Sequence, residues 1–193
     1  INGLLVGSPK HNLQAMYNLI DSHDTPRIAH VCGGNLDKVK LAYVLQMTFT
    51  GSPSVYYGSE LGLGGDGQHN RLPYPWGKER NPDLRELVRK LIHLRRQHPT
   101  FAAVDLSWLH VDAATNTLAF RKEADGERLY LLANASAQPQ AIALPRELQD
   151  SLVVDALQED ELRLSGSILL PPYAFRLFLR NEPGSALDQA HQH

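Results

Sequence analysis

His23 and Asp24 are neighbours inside the polar run Asp21-Ser22-His23-Asp24-Thr25, which follows an apolar stretch at residues 16–20. A donor-capable imidazole and an anion therefore arrive at one point. Such a pair suits gripping hydroxyl groups and stabilising positive charge that develops beside them. Arg27, just after Pro26, reads either as a group that orients an acidic partner or as a solvated charge. Further on, Gly51-Ser-Pro-Ser-Val-Tyr-Tyr-Gly-Ser-Glu-Leu-Gly62 brings Glu60 to the end of a second apolar run. A buried carboxylate needs partners, so Glu60 reads as an architectural group that fixes its loop. Arg71-Leu-Pro-Tyr-Pro-Trp76 then places a guanidinium and an indole in one loop. Trp76 offers an apolar plane that suits a sugar face, although it reads more simply as a residue that pins the loop. Tyr56 and Tyr57 read as packing residues, and Asp21 and Ser22 as shapers of the loop through side-chain to backbone bonds.

Groups of this kind need rigid elements behind them. Residues 16–20 read as a buried strand that delivers the polar run at its C-terminal end. Leu36, Val39, Tyr43 and Met47 recur at helical spacing over residues 36–49, with Asn35 as N-cap. Gly51 and Pro53 end that helix and open a short strand at residues 54–57. A long loop over residues 58–81 follows, of a length that is uncommon unless it is functional. Asn81 reads as the cap of a helix with Pro82 at its first position. Leu84, Leu87, Val88, Leu91 and Leu94 form its apolar stripe, and it ends before Pro99. Strand, helix, strand, helix is the order of parallel strands with helical crossovers. From about residue 101 the texture changes to short strands, expected at 107–111, 117–121, 128–134, 140–144, 152–155 and 175–180. Asp125-Gly126 marks a hairpin turn between two of them.

The three chemistry-bearing segments, in this order, resemble the alpha-amylase family of glycoside hydrolases. Asn18-Leu-Ile-Asp-Ser-His-Asp24 is similar to that family's fourth signature region, at the end of the seventh barrel strand. Its Ser-His-Asp-Thr form, followed by Arg27, is closest to the neopullulanase, cyclomaltodextrinase and maltogenic amylase branch. Gly51 to Gly62 resembles the eighth strand, usually written G-x-P-x-I-Y-Y-G-x-E-x-G. Arg71 to Trp76 resembles the R-x-P-M-x-W stretch that follows. The likeness runs from about residue 12 to about residue 180.

The resemblance implies an α/β plus all-β chain. Residues 1–100 would be the C-terminal part of a TIM (β/α)8 barrel, residues 101–180 a small antiparallel β-sandwich, and residues 181–193 a polar tail. It implies that Asp24 is the third family carboxylate, which steadies an oxocarbenium-like transition state, and that His23 binds sugar hydroxyls in the same subsite. In the family an arginine at the place of Arg71, with an aspartate four residues before it, binds a donor-side glucose. Here Gly67 stands four before Arg71 and Asp66 five before, so the loop has slipped by one residue or that clamp is lost. Retaining glycosidases also need a nucleophile and an acid/base carboxylate. In the family these lie on the fourth and fifth barrel strands, upstream of the region resembled. The opening residues, Ile1-Asn2-Gly3-Leu4-Leu5, carry no acid. The expected partners are therefore an α-glucan and an N-terminal part of the same protein. The chain alone is expected to be inactive, and its open strands to draw copies of it together.

Composition narrows the alternatives. At 42% apolar over 193 residues the chain has the makings of a packed core. A net charge of −2 argues against nucleic acid and gives no reason to expect an anionic membrane. No apolar run approaches the ~20 residues of a spanning helix. No leader is visible, and a cytoplasmic setting is the default expectation. Cys32 is the single cysteine, so an internal disulfide is excluded. The histidines outside the His23 segment lack ligand spacing, and no phosphate-binding loop occurs, so neither metal nor cofactor is expected. Two other classes remain: a carbohydrate-binding or scaffold module of amylase ancestry without catalysis, and a metal phosphohydrolase built on a His-Asp pair. The second places its dipeptide on a helix with further ligands, whereas His23-Asp24 follows a strand and precedes Pro26.

Overall fold

A computed structural model describes residues 9–181. The opening residues 1–8 lie outside the described residues, as does the expected polar tail beyond residue 181. The chain divides into two compact units, Ile1–Gln97 and His98–His193.

In the first unit a short helix α1 (Lys10–Ala15) leads into strand β1 (Tyr17–Leu19). Beyond the polar loop come a single-turn helix α2 (Ile28–Val31), helix α3 (Leu36–Thr48), strand β2 (Ser52–Ser54) and helix α4 (Pro82–Gln97). β1 and β2 pair in parallel, with Tyr17 opposite Ser52 and Leu19 opposite Ser54. Asn35 caps α3 as its sequence predicts, its side-chain oxygen accepting from the Asp37 and Lys38 amides. The burial of α3 is wider than one stripe: Leu41, Val44, Gln46 and Thr48 are buried along with Val39, Tyr43 and Met47. The reason is that α3 packs against α4 while also lying behind the strands. Gln46 reaches them directly, its amide donating to Asn18 O on β1 at 3.0 Å and to Ser54 O on β2 at 2.8 Å. From α4, Arg95 grips the exit of α3, donating to the carbonyls of Met47, Phe49 and Gly51. Burial lowers the Arg95 pKa below its ordinary value, and the three carbonyls at a helix C-terminus are what hold a cation there.

Three expectations are corrected in this unit. β2 falls at Ser52–Ser54 rather than at residues 54–57. Parallel pairing with β1 sets that register, and Tyr56 and Tyr57 leave the strand to cover a buried cation described below. Gly51 makes the early start feasible: at φ 104 a Cβ would come within 2.5 Å of Met16 O. β1 is not buried either. Tyr17 is 67% exposed and Leu19 is exposed beside it, since β1 and β2 form a two-stranded sheet whose other side nothing covers among the described residues. Finally, Asn81 stands at the start of α4 in a left-handed conformation (φ 54), and its side-chain amide donates to Leu61 O at 2.7 Å. Its backbone carbonyl, not a side-chain cap, receives the Leu84 and Arg85 amides.

The second unit is antiparallel. Strands β3 (Leu106–Asp112), β4 (Thr117–Ala124), β5 (Glu127–Asn134), β7 (Leu152–Asp155), β8 (Glu161–Arg163) and β10 (Phe175–Asn181) form a six-stranded sheet in the order β3-β4-β5-β10-β7-β8. β6 (Gln140–Ala143) and β9 (Ser167–Leu170) form a second, two-stranded sheet. Tyr130, Leu132 and Phe178 of the large sheet meet Ile142 and Leu170 of the small one in a single buried core, which is the layering of a sandwich. The hairpin between β4 and β5 turns at Asp125 (φ 51) and Gly126 (φ 78), the two left-handed residues that an Asp-Gly turn supplies. β8 and β9 were not foreseen. β8 is Glu161-Leu162-Arg163, exposed throughout and too short to show a period.

Candidate functional site

The polar loop begins where β1 ends, and Asp21 anchors it. Its buried Oδ2 accepts from the Ile28 amide at 2.9 Å, so it starts α2, and from Ser59 Oγ at 2.6 Å. Ser22 folds the loop on itself: its Oγ accepts from the Asp24 amide, and its amide donates to Thr25 Oγ1. Those are the shaping roles their sequence suggests.

Asp24 emerges from this loop with its carboxylate exposed and flanked on both sides. His23 Nε2 lies 3.0 Å from Oδ2, and Arg71 Nη2 lies 3.3 Å from Oδ1. Arg71 also donates through Nε to the His23 carbonyl at 3.2 Å. Exposed ion pairs of this kind contribute little to stability. What the trio provides is a fixed anion with hydrogen-bond donors beside it, at the end of a strand.

Beneath it lies Arg27, which is 0% exposed. The reading as a solvated charge is thereby excluded. Its guanidinium donates to Asn70 O at 3.0 Å, Tyr57 O at 2.7 Å and Ser59 Oγ at 3.1 Å. The rings of Tyr56 and Tyr57 lie 4.5 and 4.9 Å from it. Arg27 thus ties the exit of β1 to the exit of β2 and to the long loop, whose Gly65 carbonyl also takes the Arg27 amide. Tyr43 of α3 belongs to the same buried cluster. Burial first, then the nearby Asp21 and Glu60 charges, push its phenol far above the ordinary tyrosine range, with Arg27 opposing.

The long loop holds the other residues singled out by sequence. It carries two 3-10 turns, Ser59–Leu61 and Gly67–Arg71. Asp66 opens the second, its Oδ1 accepting from the Gly67 amide at 2.7 Å. Arg71 closes that turn and reaches the Asp24 carboxylate and the His23 carbonyl. Trp76 is 80% exposed, its ring 4.5 Å from that of Tyr74. Glu60 is half-buried. Partial burial and the Glu60 carboxylate raise the Tyr74 phenol above its ordinary value. Asn70 was not foreseen. It is 3% exposed and donates its side-chain amide to the carbonyls of His23 and Thr25. No single-sequence signal marks it, because its partners are backbone atoms some 45 residues away in the chain.

Residues 7–127 match the family described as Alpha amylase, catalytic domain. The chain belongs to the alpha-amylase family. Residues 106–177 match Maltogenic Amylase, C-terminal domain, and the overlap of the two matches falls on β3 and β4, which the structure folds into the second unit. A cyclomaltodextrinase from Geobacillus thermopakistaniensis (strain MAS1) is 37% identical over 175 residues, covering 88% of this chain and 30% of that protein. An intracellular maltogenic amylase from Bacillus subtilis is 31% identical over 191 residues, covering 95% of this chain and 32% of that protein. The crystal structure of maltogenic amylase from S. marinus superposes with a TM-score of 0.73 at 27% identity, over 90% of this chain and 24% of that one. This amylase-family chain therefore spans about a third or less of each relative. Its first unit has the fold of the corresponding part of the catalytic barrel, and its second is the β-rich C-terminal domain.

Among the described residues no helix is long and apolar enough to cross a membrane, and no group of three or more His, Cys, Asp or Glu side chains is placed to hold a metal ion.

Proposed function

We propose that this chain is the C-terminal part of a retaining glycosidase that cleaves α-1,4-glucosidic bonds in maltooligosaccharides, cyclomaltodextrins or pullulan. The observation that carries the reading is the Asp24 carboxylate, held between His23 and Arg71 on the loop that leaves β1. In such a reaction the sugar passes through an oxocarbenium-like transition state. A fixed anion facing that centre stabilises the charge as it develops, without having to reorganise. Asp24 takes that role, and His23 donates to a hydroxyl of the same sugar ring. Arg71 keeps the carboxylate oriented and offers its remaining N–H groups to the glucan. Asp66 is committed to its own turn through the Gly67 amide, so it acts on the glucan only by shaping the loop. Glu60 and Trp76 stand as loop residues. The nucleophile and acid/base are assigned to the part of the protein upstream of the region matched. The intracellular maltogenic amylase of Bacillus subtilis supports a cytoplasmic setting.

The test is Asp24→Asn in the complete polypeptide, assayed on maltotriose and on cyclomaltodextrin. The substitution keeps the shape and removes the charge. A group that acts in the transition state shows itself in kcat more than in KM. We expect kcat to fall by about a hundredfold or more with the melting temperature unchanged. Wild-type rates would reduce Asp24 to a turn residue and overturn its assignment, whereas no hydrolysis by the complete polypeptide itself would leave a carbohydrate-binding module as the reading.

A further inference from the structure

We infer that Asn70 is the positioning residue for Asp24, an inference that rests on the reading of Asp24 just given. Asn70 sits on the 3-10 turn Gly67–Arg71 and is almost completely buried. Its one side-chain nitrogen reaches the carbonyl of His23 at 3.0 Å and the carbonyl of Thr25 at 2.9 Å. These two carbonyls bracket Asp24. One belongs to the peptide that enters Asp24, the other to the residue that follows it. A primary amide has two N–H donors on one planar nitrogen, so it fastens both carbonyls at once and fixes the backbone from which the carboxylate projects. Two carbonyl acceptors also decide which way the amide is turned.

Asn70 is itself held. Its backbone carbonyl takes Arg27 Nε at 3.0 Å, and Arg27 is clamped by Tyr57 and Ser59 at the exit of β2. A chain of contacts thus runs from the end of β2 through Arg27 and Asn70 to the loop that bears Asp24. Arg71, the next residue, grips the same loop from the side through the His23 carbonyl and the Asp24 carboxylate. Arg71 sets the direction of the carboxylate, and Asn70 sets the height and tilt of the backbone beneath it. Transition-state stabilisation is sensitive to such placement: a shift of about 1 Å costs on the order of a hundredfold in rate.

The experiment is a double-mutant cycle in the complete polypeptide, with 4-nitrophenyl α-maltoside as substrate so that slow variants stay measurable. Asn70→Ala is expected to lower kcat by about tenfold to a hundredfold with KM little changed. In the Asp24→Asn background the same substitution is expected to cost less than about twofold, since the group it positions is already gone. Equal losses in the two backgrounds would make Asn70 merely structural and overturn the inference, as would a wild-type kcat for Asn70→Ala. If Asn70→Ala fails to fold by circular dichroism, Asn70→Ser keeps a hydroxyl donor and carries the same cycle with the same criteria. Wild-type rates for Asp24→Asn alone would fail the reading of Asp24 first and this inference with it, a result distinct from an additive cycle.

Discussion

Arg27 is a full charge without solvent contact; its Nε and Nη1 are answered by two carbonyls and a hydroxyl and its plane by two tyrosine rings, while its buried Nη2 has no hydrogen-bond partner among the described residues. Removing it would leave the Tyr57 and Asn70 carbonyls buried without a donor. Arg27→Met is therefore expected to destabilise the first unit by about 3 kcal/mol, read from urea unfolding of the complete polypeptide, whereas a change under about 0.5 kcal/mol would mean the cluster is slack. Arg27→Lys should recover only part of the loss, since an ammonium cannot match the fork of Nε and Nη1 donors. Sequence exposed this site unevenly. His23, Asp24 and Arg71 stood out because their types suit the chemistry and their spacing resembles a family. Arg27 was visible as a charge, but its burial is a tertiary fact. Asn70 was invisible, because a short polar side chain in a loop reads the same whether it faces water or holds two distant carbonyls.

The two long helices were the legible elements, whereas the short α1 and α2 were not read from sequence. α3 and α4 announced themselves through periodic Leu and Val, the Asn35 cap and Pro82 at a first position, signals written within a few residues of each other. Strand limits were less legible, because a pairing register is set by a partner. β2 moved toward β1 once Gly51 allowed the close approach. The contacts that join elements were least legible. Arg95 lies on α4, yet it works at the carbonyl end of α3. Arg95→Ala should cost about 2 kcal/mol of stability by urea unfolding, because it strips a charged donor from several buried carbonyls. A loss below about 0.5 kcal/mol would show that water replaces it. In the second unit the Asp125-Gly126 turn was readable from its dipeptide alone. Gly126→Ala forces a Cβ into the left-handed region and should cost about 1 kcal/mol. Unchanged stability would mean that the hairpin tolerates another turn type.

At the scale of the molecule, the two units differ in what they can complete by themselves. The second closes its own core between two sheets and secures its entry: Thr100 and His98 both bond Glu127, at 2.6 and 2.7 Å, and the buried Lys122 donates to Phe101 O. The first presents two strands with Tyr17 and Leu19 uncovered, where a barrel has eight strands around a filled interior. Limited proteolysis of the 193-residue chain should therefore leave a piece that begins at or just before His98, and sedimentation should show association before cleavage. A monomer whose residues 12–98 resist protease as well as the second unit does would contradict this. On the reading proposed for Asp24, this chain holds the charge-stabilising side of a glycosidase whose reacting carboxylates lie upstream. The direct measurement is hydrolysis of cyclomaltodextrin and maltotriose by the purified 193-residue chain, set beside the complete polypeptide at equal molarity. Turnover is expected from the complete polypeptide and none above background from the chain; sustained turnover by the chain alone would overturn that reading.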